Sequence, residues 1–191
     1  MTDYGYTIMA QIKNRPAIFL DRDGVLIEDF GYVHKVEDVK LFEDTTSSLI
    51  KLRDQGYYLI VVTNQSGVAR GYFTLEDVDS CHNEIQRQLQ TNEIAIDRFY
   101  TCPHHTKGSV PEFAIECNCR KPKPGLIEQA ITDFQINLEE SFIIGDKISD
   151  IDCGLAKGVK GIQIDRGQYP VHSGPTHVVS SLTEAVGIIL D

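Results

Sequence analysis

Short apolar runs recur along the chain and are separated by longer segments of mixed polarity. Residues 17–20, 57–62, 96–101, 141–146 and 161–164 are mostly apolar stretches of this kind. A strand of a parallel sheet is covered on both faces, so it is apolar throughout and does not alternate. We therefore predict a buried strand at each of these positions.

The segments between these runs carry helical spacing and helix-end signals. Thr74 followed by Asp77 is a helix N-cap pattern, and Ser181 followed by Glu184 is a capping box for a last helix that ends near residue 190. Gly56 can end a helix that contains residues 49–52, and further helices are predicted at 125–134 and 149–157. Strands that alternate with helices predict an α/β fold, a Rossmann-like parallel sheet with helices on both faces.

A chain of 191 residues, 41% of them hydrophobic, is long enough for one domain with a sizeable core. Residues 1–15 are polar and aperiodic, which predicts a loose leader without the apolar core of a signal peptide. No apolar run approaches the roughly 20 residues of a membrane span, so we expect a cytoplasmic protein without a membrane partner. We also expect a monomer. The net charge of −10 disfavours binding to nucleic acid, which depends on neutralising phosphates.

Acidic residues follow two of the predicted strands. Asp21, Asp23 and Gly24 come directly after residues 17–20, and Asp146 ends the run that starts at residue 141. In open α/β sheets ligands bind at the carboxyl ends of the strands, where grouped carboxylates favour Mg²⁺. A simple turn is the other explanation of the Asp-x-Asp-Gly stretch, which lacks the later Gly and Glu of a calcium loop.

Polar positions follow one another in a definite order along the chain: Asp21 with Asp23, then Thr63, Lys121 and Asp146. This order resembles the four motifs of the haloacid dehalogenase superfamily over residues 17–164. The resemblance implies a phosphatase with Asp21 as nucleophile and Asp23 as general acid and base. It also implies that Thr63 and Lys121 bind the phosphoryl group. The implied magnesium ligands are Asp21, Asp23 through its backbone carbonyl, and Asp146, with Lys147 or Asp150 adjacent.

A phosphorylation-dependent receiver module is the alternative of another class. Receivers also combine acidic residues with a Thr and a Lys, but there the Thr and Lys follow the last of the acids. Here Asp146 follows both Thr63 and Lys121. The order therefore favours the enzyme over a regulatory module.

Three of the five cysteines fall within residues 102–119. In a reducing compartment, clustered cysteines indicate a metal site more often than disulfides. Three thiolates and one imidazole complete the tetrahedral shell of a structural zinc ion, which leaves no open position for water. The spacing allows either His104 or His105, and the family resemblance selects His104. The predicted zinc ligands are Cys102, His104, Cys117 and Cys119.

The insertion that carries these ligands, followed by Arg120, Lys121 and Pro122, resembles that of the D-glycero-D-manno-heptose 1,7-bisphosphate 7-phosphatases and of the related histidinol-phosphate phosphatases. Twelve residues separate His104 from Cys117, more than in the histidinol enzymes, and residues 31–34, 63–71 and 108–110 also resemble the heptose branch. The resemblance implies removal of the C7 phosphate in lipopolysaccharide core biosynthesis, with histidinol phosphate as the alternative substrate. The implied substrate contacts are Asp29, Phe30, Gly31, Tyr32, Thr63, Asn64, Gln65, Ser66, Arg120 and Lys121.

The motifs leave little room for a second folding unit. The segment between Asp21 and Thr63 is short, and that between Thr63 and Lys121 is occupied by a predicted helix, a strand and the zinc loop. A separate cap with its own core needs more residues than remain. We therefore expect an open site bordered by the zinc loop.

Overall fold

The computed structural model describes residues 14–174 and 177–191. Its strands form one six-stranded sheet in the order β3-β2-β1-β4-β5-β6, and all neighbouring strands are parallel. The chain reverses direction across the sheet at β1, and in such sheets a crevice opens at the carboxyl ends beside that strand. The strands are β1 Ala17–Leu20, β2 Tyr58–Asn64, β3 Arg98–Cys102, β4 Phe142–Gly145, β5 Lys160–Ile164 and β6 His177–Val179.

In the described part of the chain, five α-helices cover the two faces of the sheet. Successive side chains of β1 point to opposite faces. Ile18 and Leu20 join the core under α1, α2 and α5, whereas Ala17 and Phe19 join the core under α3 and α4. All four side chains are fully buried, which explains the uninterrupted apolar run. The helices are α1 Thr45–Asp54, α2 Leu75–Gln90, α3 Gly125–Asp133, α4 Ile148–Leu155 and α5 Leu182–Leu190.

The parallel sheet covered by helices on both faces is confirmed, but β6 was missed. This strand has only three residues, and two of them are exposed, so it gives no apolar run. No helix among the described residues is long and apolar enough to cross a bilayer.

The two predicted helix caps differ in the structure. At α2, Thr74 accepts a hydrogen bond from the N–H of Asp77, and the Asp77 carboxylate accepts one from the N–H of Thr74, which completes a capping box. At α5, Ser181 accepts from the N–H of Glu184, but the Glu184 carboxylate accepts from the N–H of Ser180. Only half of the predicted box therefore forms at α5.

Most of the predicted leader, residues 1–13, lies outside the described residues. Its last residue, Arg15, is not loose. The Arg15 guanidinium donates to the carbonyls of Gly56 and Tyr57 and lies 4.0 Å from the centre of the Tyr58 ring. The prediction therefore fails at Arg15, because its main partners are backbone carbonyls far along the chain.

Candidate active site

Three buried carboxylates meet at the carboxyl edge of the sheet. Asp21 follows β1, Asp146 follows β4, and Asp150 lies in the first turn of α4. β1 and β4 are hydrogen-bonded in a register that pairs Leu20 with Ile144, which brings the ends of the two strands together. Carboxylate oxygens of the three aspartates all lie within 4.8 Å of one another.

Lys121 places a positive charge among these acids. Its Nζ lies 2.9 Å from Asp21 Oδ1 and 2.8 Å from Asp150 Oδ1. Burial alone would lower the pKa of Lys121, but Asp150 and Asp21 outweigh burial and raise it. Burial would raise the pKa of Asp21, but Lys121 and Lys147 hold it below its ordinary value. Asp21 is therefore ionised at neutral pH, as a nucleophilic carboxylate must be.

The pKa of Asp23 is shifted in the opposite direction, upward. Burial raises the pKa of Asp23, the nearby Arg22 opposes this rise, and the Asp21 charge adds to it, so the net change is upward. The Asp23 carboxylate accepts hydrogen bonds from Arg22 at 2.9 Å and from Gln65 at 2.8 Å. Two neighbouring carboxyls with opposite pKa shifts are suited to divide the roles of nucleophile and proton donor.

Sequence reasoning missed Arg22. Its side chain is fully buried and donates to the carbonyl of Val33 as well as to Asp23. The guanidinium therefore joins the carbonyl of Val33 to the carboxylate of Asp23. The position of Arg22 between Asp21 and Asp23 was the only available signal, and it does not distinguish a buried arginine from an exposed one.

The surroundings of the Asp146 carboxylate indicate whether the site suits a cation. Both of its carboxylate oxygens are buried without a hydrogen-bond partner among the described residues, although Lys147 Nζ lies 3.3 Å from Oδ1. Burial and the charge of Asp21 raise the pKa of Asp146 to about 7. Buried carboxylates without partners are costly, and oxygen-only sets suit Mg²⁺. The pair of Asp21 and Asp146, with Asp150 adjacent, therefore fits a magnesium ion.

A cavity of about 440 Å³ opens above these groups. Most of the predicted substrate residues line it, but Phe30 and Thr63 do not. Phe30 is 62% exposed, and Thr63 is buried at the end of β2. Ser149 and Tyr169 also line the cavity, and sequence reasoning missed both. The lining residues are Asp21, Asp23, Asp29, Gly31, Tyr32, Asn64, Gln65, Ser66, Arg120, Lys121, Lys147, Ser149, Asp150 and Tyr169.

Thr63 and Asn64 have partners within the protein. Thr63 Oγ1 accepts a hydrogen bond from Gln65 Nε2 at 2.9 Å, which leaves the hydroxyl proton available for a separate acceptor. The Asn64 side chain donates to the backbone carbonyl of Lys121 and accepts from its backbone N–H. Asn64 therefore holds the backbone that carries Lys121.

A second cluster lies in the loop that follows β3. Its ligand atoms all lie within 4.8 Å of one another; His104 Nδ1 is 3.2 Å from Cys119 Sγ and 3.8 Å from Cys102 Sγ. A tetrahedral zinc ion with Zn–S bonds of ~2.3 Å places its sulfur ligands about 3.8 Å apart, so the set fits zinc. His105 contacts Arg70 instead, at 3.3 Å. The clustered residues are Cys102, His104, Cys117 and Cys119.

This cluster holds one wall of the cavity. Arg120 directly follows Cys119, and its Nη1 lies 3.4 Å from the carbonyl of His104. The N–H of Gly125, at the start of α3, donates to the carbonyl of Asn118. The loop is thereby joined to α3 and presents Arg120 and Lys121 to the cavity.

Several known proteins have sequences similar to that of this chain. Residues 118–185 match the HAD-hydrolase-like family model. The chain is 42% identical to the D-glycero-beta-D-manno-heptose-1,7-bisphosphate 7-phosphatase of Yersinia pestis, over 82% of this chain and 83% of that protein. It is 40% identical to the enzyme of the same name from Escherichia coli K12, over 77% of each chain. The chain belongs to this family of haloacid dehalogenase-like phosphatases.

Solved structures agree with this membership. A HAD-like phosphatase from Mesorhizobium loti has a TM-score of 0.82 and 30% sequence identity, and the match covers 93% of this chain and 85% of that one. The D,D-heptose 1,7-bisphosphate phosphatase from B. bronchiseptica, complexed with magnesium and phosphate, has a TM-score of 0.79 and 24% identity, over 92% and 98% of the two chains. These likenesses confirm the fold predicted from the sequence.

Proposed function

We propose that the protein removes the C7 phosphate of D-glycero-D-manno-heptose 1,7-bisphosphate through an aspartyl-phosphate on Asp21. The observation that carries this proposal is the pair of adjacent carboxyls, Asp21 and Asp23, with opposite pKa shifts at one end of a cavity. Relatives about 40% identical that are named for this 7-phosphatase activity support the choice of substrate. Because they are named for the β anomer, we propose the β bisphosphate as the preferred form.

The ionised Asp21 attacks the phosphorus of the C7 phosphate, and the bond from phosphorus to the sugar oxygen breaks. Asp23 donates its proton to that leaving oxygen. Water then attacks the phosphorus of the aspartyl-phosphate, and Asp23 takes a proton from this water as Asp21 is released. Lys121 and the Thr63 hydroxyl stabilise charge on the phosphoryl oxygens. Asp21, Asp146 and the backbone carbonyl of Asp23 would hold the magnesium ion, with Asp150 adjacent, and the ion would neutralise part of that charge.

Arg120 is the residue that we assign to the distal phosphate on C1. It lines the same cavity as Asp21, and its guanidinium can bind a phosphate through two parallel hydrogen bonds. Histidinol phosphate, the alternative substrate, carries an amine and an imidazole in place of a second phosphate. An arginine in this position therefore favours the sugar bisphosphate.

We further propose that Cys102, His104, Cys117 and Cys119 hold a structural zinc ion. All four positions of a tetrahedral shell are supplied by the protein, so no position remains for substrate or water. The ion would act by fixing the loop that presents Arg120 and Lys121. The monomeric state and cytoplasmic location remain predictions, and sedimentation of the purified protein tests the first of them.

The direct test is kcat/KM for both anomers of the heptose bisphosphate, histidinol phosphate and a 5′-nucleotide, with the product identified by phosphorus NMR. We expect the heptose bisphosphate to be preferred and the C7 phosphate to be released. Preference for histidinol phosphate, or release of the C1 phosphate, would overturn the assignment.

A variant sharpens this test. Loss of one charge-assisted contact costs about 1.5–3 kcal/mol, so Arg120→Ala should lower kcat/KM on the bisphosphate roughly ten- to hundredfold. The loss on a small monophosphate should be much smaller. Arg87→Ala is the matched control, because Arg87 is exposed on α2 and pairs with Glu84. An equal loss on both substrates would remove the selective role of Arg120 only.

A further inference from the structure

The segment 165–174, between β5 and β6, belongs to no predicted motif but contributes Tyr169 to the cavity lining. The strand order places β4 and β5 on the other side of β1 from β2 and the zinc loop. Arg120, from the zinc loop, and Tyr169, from segment 165–174, both line the cavity. The cavity therefore lies between two unrelated parts of the chain.

Tyr169 contacts two charged residues that line the cavity with it. Its hydroxyl lies 3.3 Å from Asp29 Oδ2, and its ring centre lies 4.4 Å from Lys147 Nζ. Asp29 Oδ1 accepts a hydrogen bond from the N–H of Gly31 at 2.8 Å. Asp29 is thus held by Gly31, by Tyr169 and by Lys147, whose Nζ lies 3.7 Å from Asp29 Oδ2.

The side chain of Gln163 is hydrogen-bonded to the backbone of this segment. Its side chain is fully buried on β5, where the neighbouring residues are apolar. Gln163 Nε2 donates to the carbonyls of Asp146 at 3.1 Å and Pro170 at 2.9 Å, and Oε1 accepts from the N–H of His172 at 2.7 Å. One buried amide therefore joins the backbone of Asp146 to the backbone of Pro170 and His172, just after Tyr169.

Two more contacts anchor the segment at its ends. Arg166 Nε donates to the carbonyl of Gly24 at 3.0 Å, directly after the Asp21–Asp23 motif. His172 Nε2 lies 3.0 Å from Asp152 Oδ1 on α4. The segment is therefore tied to the loop that follows Asp23 and to α4, and Tyr169 lies between these two ties.

We propose that Tyr169 is a specificity-determining residue that contacts the sugar of the substrate, and that Gln163 is a positioning residue that sets Tyr169 against Asp29 and Lys147. The sugar has hydroxyl groups that a carboxylate such as Asp29 accepts, and C–H faces that an aromatic ring covers. Contacts with parts of the substrate remote from the reacting bond select that substrate over smaller esters. This inference rests on the proposed function, because it concerns the sugar that the proposed reaction releases.

The first experiment compares kcat/KM on the heptose bisphosphate with kcat/KM on acetyl phosphate, which carries a phosphate but no ring. Tyr169→Phe removes the hydrogen bond to Asp29 and keeps the ring, so the ratio should fall about threefold to tenfold, mainly through KM. Tyr169→Ala should lower the ratio further. Tyr57→Phe is the matched control, because Tyr57 lies beside Gly56 at the opposite edge of the sheet. An unchanged ratio in Tyr169→Ala would overturn the role of Tyr169.

The second experiment asks whether Gln163 acts through Tyr169. Gln163→Leu should lower the same ratio in the wild-type background but not in the Tyr169→Ala background, because its effect requires the tyrosine. A purely structural residue would lower the melting temperature and leave the ratio unchanged in both. Gln163→Glu, which keeps the acceptor for His172 and loses both donors, gives the same comparison if Gln163→Leu does not fold. Equal effects on the ratio in the two backgrounds would refute the positioning role.

The two proposals fail in distinguishable ways. If the wild-type enzyme prefers histidinol phosphate to the heptose bisphosphate, the proposed function is wrong. If it prefers the bisphosphate and Tyr169→Ala keeps the wild-type ratio, the function stands and the inference on Tyr169 is wrong.

Discussion

The acidic centre and the thiol cluster both gather potential metal ligands, but they are assembled in different ways. Asp21 is far from Asp146 and Asp150 in the sequence and meets them only because β1 and β4 are neighbours. The four potential zinc ligands of the thiol cluster all come from residues 102–119. At the acidic centre Asp146 keeps two buried oxygens without a hydrogen-bond partner among the described residues, whereas the sulfur and nitrogen atoms of the other cluster contact one another. Catalysis requires groups that are still available to a ligand, and a structural site requires a complete shell.

The largest effect should come from the acidic centre. Asp21→Asn removes the nucleophile but keeps its shape, and Lys121 retains Asp150 as a partner. We expect kcat to fall on the order of 10⁴–10⁶-fold, with a small change in melting temperature. Phosphate release and a thermal melt measure the two effects. Asp79→Asn, at an exposed acid on α2, is the control, and wild-type turnover by Asp21→Asn would exclude the mechanism.

Asp23→Asn should produce a smaller loss of activity, of roughly 10²–10⁴-fold, because general acid–base steps are typically worth that much. Formation of the phosphoenzyme from acetyl phosphate should be less affected, since this leaving group needs no proton. Its hydrolysis should remain slow, so labelled phosphate should accumulate on Asp21. Mass spectrometry of the trapped protein checks this, and equal slowing of both steps on both substrates would contradict the assigned role.

At the thiol cluster we expect mainly a loss of stability. The purified protein should contain about one zinc ion per chain, and Cys119→Ser should lose it. The melting temperature should fall by more than about 5 °C, since roughly 2–4 °C corresponds to 1 kcal/mol in a chain of this size. Activity should fall because Arg120 and Lys121 lose their support. Cys153→Ser, which changes a buried thiol outside the cluster, is the control. Absence of zinc from the wild type would remove the structural-zinc proposal.

The last prediction concerns the free energy of unfolding and the imidazole of His82, which lies outside both clusters. Burial, aided by the charge of Arg22, lowers the pKa of His82 to about 3. Between pH 6.5 and 3 the unfolded chain binds a proton at His82 and the folded protein does not. The free energy of unfolding should therefore fall as the pH falls through this window, by up to ~1.4 kcal/mol per pH unit.

Urea unfolding of the wild type and His82→Leu at pH 5 and pH 7 measures this contribution. The stability of the variant relative to the wild type should be greater at pH 5 than at pH 7. His177→Leu, at an exposed histidine of β6, should show no such difference. If His82→Leu and the wild type depend on pH in the same way, His82 does not carry the effect.

The chain alone was enough to place the acids that follow β1 and β4, the strands that carry them and the first capping box. These features depend on local signals: an apolar run ending at Asp21, or Thr74 three residues before Asp77. The zinc-type ligands were also found from spacing, because a short loop brings them together. His104 itself required a family resemblance, since His105 is adjacent and equally suited by type.

Tertiary structure alone decided the features whose partners are distant in the chain. Arg22 can be buried because Asp23 and the carbonyl of Val33 accept hydrogen bonds from its guanidinium. The Asn64 side chain is hydrogen-bonded to the backbone of Lys121, 57 residues away. Tyr169 and Gln163 carry no local signal, since a tyrosine in a loop and a glutamine in a strand are ordinary until the sheet brings them to Asp29 and Asp146. A sequence pattern reports burial and local hydrogen bonds; the pairing of residues far apart depends on the order of the strands.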